Sequence, residues 1–208
     1  MHLRPLGVDA VSGRFDFDGA LSLLEVGGDP GAVALGDLVQ QGTAAVPTLV
    51  EALSSPTARV RAWAADGLGM IGDRGAGDAL AKAVEDDDGT VRSTAAASLA
   101  RLDDPRAVEA LVRTLNDYTD EAHSGMSLSA YALIGLGTRI APVVVPLLAS
   151  DDQITRTRAV AILRKLASGD EALAPLGRIL DGYDPTVTPE ASAAPARSAA
   201  EWVERNLQ

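Results

Sequence analysis

Two histidines, His2 and His123, and no cysteine limit the side-chain chemistry open to this 208-residue chain. Without thiols there is no disulfide framework, no thiolate zinc site and no cysteine nucleophile. Two imidazoles cannot build a site that needs several. The run Asp86-Asp87-Asp88-Gly89 suggests a calcium loop, yet it lacks the alternating D-x-D-x-D-G spacing and a downstream bidentate glutamate. The segment from Asn116 to Gly125 gathers Asp117, Tyr118, Asp120, Glu121 and His123, a set that could hold a metal or do acid–base work. One histidine in a polar loop is more simply solvated. No G-x-S-x-G, phosphate-cradling glycine loop or zincin pattern occurs. A Ser/His/Asp triad would have to use His2 or His123, and neither lies in a nucleophile context. No catalytic residue, cofactor or metal is therefore assigned.

Charge narrows the partners. Twenty-nine acids face 18 bases for a net −11, and 20 of the acids are Asp while 16 of the bases are Arg. A general nucleic-acid binder shows a basic stripe instead, so no nucleic acid is expected. No window reaches the ~18 uncharged apolar residues needed to span a bilayer, and residues 1–19 have no secretory apolar stretch. A cytoplasmic protein with no membrane contact is the expectation. The 47% apolar content is that of a globular chain.

The elements that would position these side chains emerge from self-similarity. Val46–Asp73 and Gly77–Asp104 align without a gap at a spacing of 31 residues. Leu49 matches Leu80, Leu53 matches Val84, Val60-Arg61 matches Val91-Arg92, Leu68 matches Leu99 and Ile71 matches Leu102. The register extends to Leu111 and Leu115, Val144 and Leu148, and Leu176 and Leu180, with Leu133, Leu136, Leu163 and Leu166 continuing the second half. Each unit holds two stretches of helical period. Val60, Ala64, Leu68 and Ile71 mark one face of the second. Ala64, Ala95, Ala96, Ala130 and Ala159 permit close helix approach. A lone pair of short helices cannot bury its apolar face, so stability must come from stacking. Pro47, Pro142 and Pro175 suit the first turn of a helix. Pro146, four residues after Pro142, predicts a kinked or late-starting helix.

Asp88-x-x-Val91-Arg92-x-x-Ala95-Ala96-x-x-Leu99 and Val60-Arg61-x-x-Ala64-Ala65-x-x-Leu68-Gly69-x-Ile71-Gly72-Asp73 resemble the HEAT-repeat family, especially its short phycobilin-lyase-type form. The resemblance implies an all-α, right-handed solenoid of about six antiparallel helix pairs. Residues 1–15 form an undefined N-terminal segment, and 16–208 form one solenoid domain. The pairs fall near 16–42, 46–72, 77–103, 108–137, 141–167 and 172–207, the last split by a Pro-rich loop over 181–195 that should be extended or mobile. Gln41, in place of an apolar residue, suits a capping repeat. The resemblance also implies that the recurring Asp and Arg (Asp88/Arg92, Asp152/Arg156) form a ladder between adjacent repeats.

Function is expected to be non-catalytic binding of another protein, as scaffold or adaptor. One candidate surface is the concave flank carrying Arg61, Trp63, Arg92, Tyr131 and Arg158, since second helices line that face in the family. The other is the row of loops between first and second helices. Those loops carry Asp86, Asp87, Asp88, Asp117, Asp120, Glu121, Asp151 and Asp152, with no Lys or Arg among them. Such acids also suit helix starts through capping and the helix dipole. As a rim they would dock a basic partner segment. The alternative that the resemblance keeps open is a lyase- or chaperone-like subunit handling a chromophore or modified protein.

Overall fold

A computed structural model describes residues 16–117 and 126–207. Among them every regular element is a helix, twelve α-helices with five short 3-10 turns, so the all-α class is observed. The described residues fall into two compact units that meet in sequence at Ala110 and Leu111.

The first unit pairs α1 (Phe17–Val26) with α2 (Gly28–Gln40), α3 (Val46–Ala52) with α4 (Ala58–Ile71), and α5 (Gly77–Ala83) with α6 (Gly89–Arg101). The second helices α2, α4 and α6 also pack in succession. Register positions form the core: Leu49, Leu68, Leu80 and Leu99 are fully buried, as are Ala64, Ala95 and Ala96. Two glycines let the helices close. A Cβ on Gly67 would fall 2.9 Å from Leu35 Cδ1, and one on Gly69 would overlap Ser98 Oγ and lie 2.7 Å from its Cβ. Gly72 ends α4 in the left-handed region (φ 76°), and Asp103, 31 residues on, adopts the same region (φ 52°). Asp is one of the few non-glycine residues that tolerates it. Gln41, just beyond α2, is exposed.

The junction of the two units falls within α7 (Ala107–Arg113), and the second unit holds α8 (Leu128–Gly135), α9 (Ala141–Val144), α10 (Gln153–Gly169), α11 (Ala174–Asp181) and α12 (Ala193–Asn206). Leu133, Val144, Leu148, Ile162, Leu163, Leu176 and Leu180 make its core. Pro47, Pro142 and Pro175 occupy the first turns of α3, α9 and α11. Pro146 breaks its helix. α9 ends at Val144, and Val145–Ala149 continues as a 3-10 turn.

The Pro-rich loop does not run extended; its chain turns back and is bonded. Asp184 accepts from the Thr186 amide at 2.8 Å, Ser192 Oγ donates to the Asp184 carbonyl at 2.6 Å, and Tyr183 buries its ring and donates to the Leu148 carbonyl.

Candidate functional site

The loop–helix junctions decide which charged side chains are available. Each second helix needs its first amides satisfied. Asp88 does this for α6, accepting from Thr90 and Val91 amides at 2.8 and 3.2 Å. Asp152 does it for α10, accepting from Ile154 and Thr155 amides at 3.3 and 2.9 Å. Hydrogen bonds from Thr155, hydroxyl first and then amide, hold the Asp152 carboxyl below its ordinary range. Thr57, in the same extended conformation before α4, makes no such bond.

Four residues after the cap comes an arginine. Its Nη1 folds back onto two carbonyls of its own loop. Arg61 takes Ser55 and Pro56 at 3.0 and 3.3 Å, Arg92 takes Asp86 and Asp87 at 2.8 and 3.0 Å, and Arg156 takes Ser150 and Asp151 at 2.7 and 2.9 Å. The reason is geometric: a capping carboxylate is bent over the helix start towards the amides, whereas the arginine one turn on reaches back to the loop carbonyls.

The inter-repeat ladder uses a different acid. Arg61 Nε and Nη2 donate to both oxygens of Asp86 at 2.7 Å, with the side chains only 16% and 12% exposed. That hydrogen-bonded pair pushes the Asp86 carboxyl down and the Arg61 guanidinium up. Asp86 also accepts from the Asp88 amide at 2.9 Å, closing the turn before α6.

Arg158 is buried in the second unit, where Nη1 reaches the Leu115 carbonyl and Asn116 Oδ1, both at 2.7 Å. Burial pulls its pKa down. Asn116 in turn donates to Asp152 and Thr155 at 2.8 and 2.7 Å. Arg61 thus spends its donors on its own loop and on Asp86 of the next, and Arg158 reaches the chain that follows α7. Sequence spacing alone missed this because the carbonyl acceptors carry no side-chain signature.

The aromatic candidates are differently placed. Trp63 on α4 is half-buried, with Cζ2 close enough to α2 that a Cβ on Gly31 would lie 3.8 Å away. Met70, seven residues on, is 51% exposed. In the second unit Tyr131 on α8 is 48% exposed. Both helices stand at the second-helix position of the sequence register. Of the acids, Asp87 and Asp151 are exposed, and their carboxylates make no hydrogen bond or ion pair among the described residues. Asp117 is half-buried. Asp120, Glu121 and His123 lie outside the described residues. Among the described residues no group of three or more His, Asp or Glu is placed to hold a metal ion. Nor is any single helix there long and apolar enough to cross a membrane.

Residues 46–129 match the family model for HEAT repeats. No curated protein matches the sequence significantly. Several solved structures are similar, among them the following two. One is the complex of CpcE and CpcF of phycocyanin lyase from Nostoc sp. PCC7120, at 22% identity over 88% of this chain and 77% of that one, with a TM-score of 0.48. The other is an engineered protein, at 22% identity over 91% and 90% of the two chains, with a TM-score of 0.44.

Proposed function

We propose that this chain, whose residues 46–129 match HEAT repeats, is a non-catalytic protein-interaction module. Its candidate contacts are side chains on second-helix positions, Trp63 and Met70 in the first unit and, taken by itself, Tyr131 in the second. The observation that carries this is a division of labour. The arginines of the candidate flank whose contacts are described turn inward to loop carbonyls, whereas Tyr131 and Met70 keep about half of their surface in water. Large, stiff aromatic side chains concentrate binding energy in protein interfaces. Asp87 and Asp151 supply free carboxylates at the loop edges for a basic segment of the partner.

The test immobilises the chain and the variants Trp63→Ala, Tyr131→Ala and Asp87→Lys, and compares what each retains from the native host. Proteins held by the parent chain should be lost from Trp63→Ala and Tyr131→Ala while the melting curves stay within a few degrees. They should also elute at raised salt, because exposed charge pairs are screened. Retention by every variant refutes the assignment. A visible absorption band that co-purifies with the chain would favour the chromophore-handling alternative instead.

A further inference from the structure

Arg61 and Arg156 hold the same position in their repeats and use the same edges, with one difference. Both place Nη1 on two carbonyls of their own loop. Both send the Nε/Nη2 edge forward into the next inter-helix loop. For Arg61 that edge meets a carboxylate, Asp86. For Arg156 it meets two main-chain carbonyls, Pro185 at 3.2 Å and Val187 at 2.9 Å. The repeat register gives the reason. Setting Leu80 and Val84 on Leu176 and Leu180 puts Gly182 where Asp86 stands, so no carboxylate is on offer. The long loop returns to fill the place.

We infer that residues 183–206, this loop and helix α12 together, form a cap that opens as one unit, with Arg156 as its latch. The loop buries only Tyr183 and Ser192, and α12 buries only Ala199 and Val203. Segments with so few buried side chains of their own open locally at lower free energy than the core. Opening also strands no charge. Arg156 keeps its bonds to Ser150 and Asp151, and its forward edge passes to water. The side-chain hydrogen bonds that tie it elsewhere are Tyr183 Oη to the Leu148 carbonyl and Arg164 Nη2 to the Tyr183 carbonyl, and α12 also packs on α9, α11 and the 3-10 turn Val145–Ala149.

Hydrogen exchange of the full chain, resolved by mass spectrometry, tests this. Amides of 183–206 should exchange together and faster than those of α10 and α11. Arg156→Lys keeps the charge but loses the two-pronged edge, and should raise cap opening roughly tenfold or more. Tyr183→Phe leaves Arg156 intact and should raise it several-fold. In both variants exchange over residues 159–168 should stay unchanged. Cap amides exchanging no faster than those of α10 and α11 would overturn the inference. So would loop and α12 amides exchanging at unlike rates, or α10 rising in step with the cap in both variants.

Discussion

Asp86→Ala should be the most informative single change at the loop edge, because Asp86 does two things at once. It accepts two short charged hydrogen bonds from Arg61 and one from the Asp88 amide. Exposed ion pairs contribute about 0–1 kcal/mol, and breaking a fully buried pair costs about 3–5 kcal/mol. With side chains 16% and 12% exposed, this pair lies between those limits. The loss is therefore about 2–3 kcal/mol, part of it the turn bond to Asp88. At this chain length that lowers the melting temperature by roughly 4–12 °C. Asp87→Ala, one residue along, removes an equal charge with no bonded partner and should cost within about 0.5 kcal/mol.

The measurement is urea unfolding in a Trp202→Phe background, so that emission reports Trp63, two residues beyond Arg61 on α4. Arg61→Met combined with Asp86→Ala completes a double-mutant cycle, with an expected coupling of about 1–2 kcal/mol. The pH dependence has a definite sign. The carboxyl is held low in the folded state by Arg61, so its contribution is fully present above the unfolded value near 4 and is lost as pH falls through the folded value. The gap between parent and Asp86→Ala should be constant at neutral pH and close only in stronger acid. Equal costs for Asp86→Ala and Asp87→Ala would refute the ladder as a source of stability.

Three other outcomes follow from the packing. Thr57→Asp should stabilise by about 0.5–1 kcal/mol, because α4 alone among α4, α6 and α10 lacks a side-chain cap; a thermal melt reads it. Gly36→Ala on α2, where an added Cβ meets nothing within 4 Å, should stabilise by up to about 1 kcal/mol, whereas Gly69→Ala should destabilise by about 1–3 kcal/mol against Ser98. The opposite signs are the check, and a gain at Gly69 would contradict the close approach of α4 and α6. Burial raises the Tyr183 phenol, so its share of stability should hold below about pH 10 and fall as pH rises through the folded value; Tyr183→Phe should flatten that alkaline loss.

The helices were legible in the sequence because apolar periodicity and burial have one cause. Leu49, Leu68, Leu80 and Leu99 recur at fixed spacing, and each is fully excluded from water. The prolines were equally legible, since a missing N–H leaves few places to sit. The charged residues were not. The resemblance implies that Asp88 and Asp152 serve a ladder between adjacent repeats, yet both cap helices, and Arg92 and Arg156 bind carbonyls five and six residues back. Carbonyls leave no trace in residue identity. The acid that does pair with Arg61 stands two places before the cap of the following helix, a position visible only once the junction is built. Gly182 in the register of Asp86 was the one available sign that the last loop must bond differently.

This reassignment also changes what the negative charge is for. Residues 71–138 carry 12 acids against six bases, while 139–208 are nearly balanced at nine against eight. In the loops, Asp86, Asp88, Asp152 and Asp184 are bound to guanidinium, amide or hydroxyl groups of the chain itself. Their carboxylates are needed to start helices and close turns, so their presence there is no sign of a partner. Asp87 and Asp151 have no such duty. If the loop edge binds a basic segment, these two should weaken binding when neutralised and leave the melting curve unmoved. Replacing Asp86 or Asp88 would disturb both together. The separation of those two responses, rather than the total charge, distinguishes a docking rim from a set of helix caps.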